Sequence, residues 1–314
     1  MAFILTYRRP KDTFNRVLNE RRRSFSVPAS DKRPLLDWSA LPTWYQDNPF
    51  ITSGYRPVCF SSWACFKSMI TLHNETVNIW SHLIPATIFT VGQVALQLLI
   101  HYRFPEASVL DRSVFAINVG CGITCMLLSS LYHTLMCHSE EVSSLWLRID
   151  YVGILTLILG SFFSGIYVGY YCDLFLRNIY WSMIMILVVT TAILVLHPKY
   201  QGLAYRTHRS WAFIVTGLSG FAPVSHGLRK YGWHVMWIRS GMPYWFLEGG
   251  LYLFGAFFFV SRMPECLRPG KFDIWFGSHQ IFHCLVVAGA LAHLYGVWSA
   301  FTWNYENQRA CPVR

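Results

Sequence analysis

A chain of 314 residues that is 54% hydrophobic, 17% aromatic and only 13% charged lies far from soluble globular proteins, in which about 25% of residues are charged. The net charge of +10 comes from basic residues gathered near the N-terminus and in short connections, a distribution that fits a membrane surface and argues against nucleic acid as the partner. Most of the nine cysteines lie inside apolar runs, among them Cys121, Cys125 and Cys284, and none forms a CxxC pair; they read as small buried residues rather than a disulfide framework or a thiolate zinc ribbon.

Residues 1–50 are basic and polar, include the run Arg21-Arg22-Arg23-Ser24 and show no period, which predicts a largely disordered cytosolic tail. The start lacks an apolar core followed by small residues, so no cleaved signal peptide is expected. Residues 51–75 form an interfacial segment, because the apolar run 58–72 is too short to span and carries Lys67 in its middle. Seven apolar stretches of spanning length follow, at about 76–100, 113–136, 145–170, 179–197, 210–228, 243–262 and 278–301. The expected fold is therefore an all-α membrane protein, a seven-helix transmembrane bundle over 76–303 with a short extracytosolic tail at 304–314. Tyr and Trp at many span ends, such as Trp80, Tyr170, Tyr180 and Trp181, read as interfacial belts. With the N-terminus inside, 17 Lys and Arg fall on the inner side and 8 on the outer, which predicts a cytosolic N-terminus.

In that topology the early residues of odd helices share a layer with the late residues of even ones. Ser129 and His133 lie one turn apart late in the second span, and Asp150 comes early in the third. His279 and His283, at i and i+4, open the seventh. Glu75, Asn78 and His82 fall on one stripe at the start of the first. In a chain with 12 histidines in 314 residues, chance gives roughly half of one i, i+4 histidine pair; the convergence of four helices carries the argument. Each ionisable group inside a span costs about 2.5 to 3.5 kcal/mol on insertion scales, so these groups must face one another.

Three imidazoles with an open fourth position suit a catalytic Zn2+ site, so His133, His279 and His283 are the candidate ligands. Asp150 and Ser129 are the candidate catalytic pair, one as base and one orienting water or carbonyl, in interchangeable roles. The competing reading is an interhelical hydrogen-bond network without metal. Glu75, Asn78 and His82, nearer the water boundary, read as a cap and packing network.

The stretches HNETVNIWSHLIPA (73–86), SSLYHTLMCHSEEVSSLWLRIDYVGI (129–154) and RMPECLRPGKFDIWFGSHQIFHCLVV (262–287) closely resemble the adiponectin and progestin receptor family, the haemolysin-III-related proteins, over about residues 47–303. The resemblance implies a seven-helix fold with a cytosolic N-terminus and zinc near the cytosolic face, held by His133, His279 and His283, with Ser129 and Asp150 beside it. It also implies ceramidase-type hydrolysis of a lipid amide, or roles in zinc homeostasis and lipid metabolism, with a membrane lipid as substrate and an extracellular protein or steroid as ligand. The alternative is a non-catalytic receptor whose zinc is structural. In its short tail, compact loops and PGKFD loop the chain most resembles the fungal, adiponectin-receptor-like branch. The sequence does not choose between plasma membrane and endoplasmic reticulum.

Overall fold

The computed structural model describes residues 34–307. The expected tails at 1–33 and 308–314 lie outside the described residues. Residues 35–50, which the sequence assigns to the N-terminal tail, are folded. Leu36 and Tyr55 exchange backbone hydrogen bonds of 2.7 and 3.1 Å, and two 3-10 turns, Trp38–Ala40 and Thr43–Tyr45, bring Leu41 and Tyr45 into a buried cluster with Tyr55, Leu135 and Met136. Gly54 belongs to this turn: its φ is +83°, and a Cβ would sit 2.8 Å from Ile274 Cδ1, so only glycine fits.

Helix α1, Ser62–Ser68, is capped by Ser61 and leaves Trp63 and Phe66 on the outer surface, followed by exposed Ile70 and Leu72 in the turn after it, the pattern of a segment lying in the interface. The long helices follow. They are α2 (Thr76–Arg103), α3 (Val109–Leu135), α4 (Glu140–Gly169) and α5 (Leu174–Leu196), then the shorter α6 (Arg206–Leu218), α7 (Phe221–Tyr231) and α8 (Trp233–Arg239), and finally α9 (Met242–Ser261) and α10 (Ser278–Asn307). Side-chain caps start three of them: Ser108 with Asp111 in a capping box on α3, Ser139 on α4 and Asp173 on α5.

Among the described residues six helices, α2 to α5, α9 and α10, are long and apolar enough to cross a membrane. This is a multi-pass helical membrane protein. On α2 the outward stripe of Ile84, Ile88, Val91 and Leu98 is exposed, whereas Asn78, His82, Ala86 and Phe89 face inward; lipid, not water, is the solvent for the exposed stripe. The span expected at 210–228 is not one helix. Pro223 has no N–H to give the Ser219 carbonyl, which instead accepts from Ala222 in a tightened turn at 3.0 Å, and the helix divides into α6 and α7 around Gly220. Ser219 and Gly220 themselves keep right-handed helical dihedrals.

The belt assignment also changes. Tyr170 is buried and donates to the Pro223 carbonyl at 2.6 Å, and Tyr180 is buried against His226, 2.8 Å from Nδ1; both tie α4 and α5 to α7. The core runs down the bundle axis, from Phe104, Phe115 and Phe301 at one end through Phe89, Met126 and Val286 to the Tyr45 cluster at the other. Glycine lets α9 and α10 meet closely: a Cβ at Gly289 would lie 2.3 Å from the Tyr252 ring.

Candidate metal centre

The last turns of α3, the first turns of α2 and α10 and the early part of α4 meet at one end of the bundle. His133, His279 and His283 each bring a ring nitrogen to within 4.8 Å of the others, with ring centroids 4.9, 5.0 and 4.6 Å apart. His133 and His283 are buried and His279 is half-buried.

The second nitrogens fix the tautomers. His133 Nδ1 lies 2.8 Å from Glu75 Oε2, so it donates to the carboxylate and turns Nε2 inward; that Nε2 is buried with no hydrogen-bond partner. His283 Nδ1 lies 3.1 Å from both the Asn78 carbonyl and Ser81 Oγ, which likewise leaves Nε2 as its lone-pair nitrogen. A carboxylate behind one imidazole and a carbonyl behind another is the outer support that metal-binding histidines use. An unpartnered buried imidazole nitrogen costs free energy unless something accepts its lone pair. The residues therefore fit a three-imidazole metal site.

Asp150, from α4, interacts with the Ser129 hydroxyl and is electrostatically coupled to His133, so the structure brings together all five residues singled out from the sequence. Glu75, Asn78 and His82 also join this layer. Asn78 Nδ2 donates to Glu75 Oε2 at 2.7 Å, and the His82 ring stacks on His283 at 3.7 Å between centroids, 5° from parallel, with both of its nitrogens buried and unpartnered. Burial would raise the Glu75 carboxyl, but His133, Asn78 and the nearby Arg56 outweigh it and hold the pKa at about 2.

Sequence reasoning missed the scaffold. Buried Arg56 donates to the His133 and Thr134 carbonyls at 2.5 and 3.0 Å and to Ser68 Oγ at 2.8 Å, so a cation caps the C-terminal end of α3. Glu265 accepts from the Ser278 backbone at 2.8 Å and from Asn48 at 3.0 Å, and takes a further hydrogen bond from the Ser278 hydroxyl; it anchors the end of α10 that carries His279 and His283. Asp273 accepts from Thr52 and Ser53 at 2.7 to 3.0 Å. The Glu265–Asn48 contact and those of Asp273 join segments more than two hundred residues apart and leave no local signature.

A second buried polar cluster lies away from the layer that the sequence singles out. Farther along α10, His293 Nε2 lies 2.8 Å from Ser164 Oγ and its Nδ1 lies 2.6 Å from Glu248 Oε2, while Asn118 donates to Ser164 at 2.9 Å. Glu248 inside an apolar span was the available signal.

A multi-pass helical bundle with a buried triad of histidines near one face defines a class of integral membrane protein. The family model described as haemolysin-III related matches residues 70–294, and the chain belongs to that family, which includes the adiponectin and progestin receptor proteins. It is 41% identical over 257 residues, 82% of its length, to the "Adiponectin receptor protein" of Drosophila melanogaster. It is 37% identical over 284 residues, 89% of its length, to the "Progestin and adipoQ receptor-like protein 1" of Caenorhabditis elegans. It is 38% identical over 274 residues, 86% of its length, to the "ADIPOR-like receptor IZH2" of Saccharomyces cerevisiae. The chain spans 57% and 63% of the fly and worm proteins and 84% of the yeast one.

Proposed function

We propose that this protein is a seven-span, zinc-dependent hydrolase of a membrane lipid amide of the ceramide type, serving lipid metabolism and zinc homeostasis and regulated as a receptor. The observation that carries the reading is the buried, unpartnered Nε2 of His133 facing two further imidazoles, with Asp150 and Ser129 alongside. His133, His279 and His283 would hold Zn2+, which when bound acidifies a water to a pKa near 7 and polarises a carbonyl. In this reading Asp150 would take the proton from the water and return it to the leaving amine and the Ser129 hydroxyl would orient the amide carbonyl, the two roles being interchangeable. Glu75 keeps the proton of His133 on Nδ1. In this reading α6 and α7 together make the remaining crossing.

Orientation with this end in the cytosol is supported by cysteine chemistry. Cys59, Cys65 and Cys137, near the histidines, are free thiols, whereas Cys172, in the connection between α4 and α5, is disulfide-bonded, as suits an oxidising compartment. An extracellular protein or steroid ligand, of the kind the relatives' names indicate for those proteins, would then meet the Cys172 end.

The test is to purify wild type and Asp150→Ala, measure zinc by elemental analysis, and assay fatty-acid release from ceramides. Zinc in both with release by wild type alone is expected. Equal release by both removes Asp150 from the chemistry, and zinc in both with release from neither replaces the hydrolase by a receptor with a structural metal.

A further inference from the structure

Three cysteines far apart in sequence converge one turn beyond the histidine layer. Cys59 lies in the extended segment before α1, Cys65 in α1 and Cys137 immediately after α3, four residues past His133. Cys59 Sγ is 3.3 Å from Cys65 Sγ, and Cys65 Sγ is 3.6 Å from Cys137 Sγ; all three sulfurs lie within 4.8 Å of one another. The convergence is built by backbone pairing, since Cys59 N–H donates to the Cys137 carbonyl at 3.1 Å and Phe60 N–H to the His138 carbonyl at 3.0 Å. Cys65 and Cys137 are buried.

Apolar packing alone does not account for this arrangement, because sulfurs held at 3.3 and 3.6 Å are close to the spacing of about 3.8 Å that tetrahedral zinc with bonds of about 2.3 Å imposes on its thiolates. They are also well beyond the roughly 2.05 Å of a disulfide. Burial opposes ionised sulfurs at Cys65 and Cys137, and a neighbouring cation offsets part of that cost. The buried Arg56 guanidinium is that cation, coupled to both Cys65 and Cys137. Three thiolates, one divalent cation and one guanidinium sum to zero charge, which lowers the cost of burying the set.

We propose that Cys59, Cys65 and Cys137 form a second metal site, for a thiophilic divalent d10 cation of the zinc type, distinct from the histidine centre and placed on its solvent side. Binding replaces three S–H protons by the metal and releases them to solvent. With three protein ligands the site keeps an open fourth position, unlike a closed structural site with four protein ligands. This inference is independent of whether the histidine centre hydrolyses a lipid.

The probe is Co2+, titrated into metal-stripped full-length protein kept reduced, with elemental analysis and near-ultraviolet thiolate-to-cobalt charge-transfer absorption as readouts. Wild type is expected to bind two equivalents and show the charge-transfer band. Cys59→Ser/Cys137→Ser should lose the band and one equivalent, and His283→Ala should lose the other equivalent and keep the band. Absence of the band in reduced wild type, or its survival in the double variant, overturns the proposal. Should the double variant fail to fold, alkylation of wild type decides: Zn2+ should slow labelling of Cys59, Cys65 and Cys137 but not of exposed Cys284, and equal labelling with and without Zn2+ overturns it.

Discussion

The bundle buries two clusters of imidazole and carboxylate, and they differ in one respect. His293 has both nitrogens engaged, by Ser164 and by Glu248, whereas His133 has Nδ1 engaged and Nε2 buried without a partner. The two clusters share α10, His283 and His293 being about 15 Å apart along its axis at 1.5 Å per residue. Both pay the cost of polar groups in an apolar medium, but only one recovers it fully within the protein. A saturated histidine holds helices together; one with a spare inward lone pair is prepared for an additional ligand.

The largest effect that follows from this contrast is on metal content. His133→Ala and His283→Ala should each lose most bound zinc, measured by elemental analysis of the purified protein, while His293→Phe keeps it. Full retention by His283→Ala would remove that residue from the ligand set. One step smaller is Glu75→Gln. The amide still accepts from His133 Nδ1 but without charge, so zinc affinity should fall by about 10- to 100-fold, read by competition with a chelator, with the fold intact. An unchanged affinity would make Glu75 a cap and nothing more.

The saturated cluster should answer to stability instead. His293→Phe removes one partner from Glu248 and Ser164, and interhelical hydrogen bonds in membranes are worth about 1 to 2 kcal/mol at most, because the reference state within the membrane also finds partners. Thermal unfolding in detergent should report a loss of that size with zinc stoichiometry unchanged. A variant that folds as wild type but sheds its metal would erase the distinction between the clusters.

The histidine layer was legible because helical spacing and the alternation of helix direction are both written in the sequence: Ser129 with His133 and His279 with His283 each need only a turn of helix. Five spans and the last one were legible from the lengths of their apolar runs. The break between α6 and α7 was not, since hydrophobicity continues through Gly220 and only the missing N–H of Pro223 interrupts the ladder. Partnerships across the bundle were beyond reach in the same way. Glu75 meets His133 across 58 positions and Cys137 meets Cys65 across 72, and the cysteines, read one at a time as small apolar residues, gave no sign of their convergence.

The smallest effect concerns Asp173, a third saturated group, at the end of the bundle away from the histidines. It caps α5 by accepting from Leu176 N–H at 3.1 Å and also holds Lys230 and, at 3.2 Å, the Tyr231 hydroxyl. Burial would raise its carboxyl, but Lys230, Leu176 N–H and Tyr231 outweigh burial and hold the pKa below its usual 3.8. Its contribution is therefore present above the unfolded carboxylate value and is lost as pH falls through the lower folded one. Two effects compete for that contribution. The Lys230 side chain is 35% exposed, so solvent screens the ion pair to well under about 1 kcal/mol, whereas losing a helix cap costs about 1 kcal/mol. The cap wins. Asp173→Ala should lower stability by about 1 kcal/mol, and Asp173→Asn, which still caps but carries no charge, by only a few tenths, with both proteins retaining their metal. Equal losses in the two variants would reverse the ranking and give the ion pair the larger share.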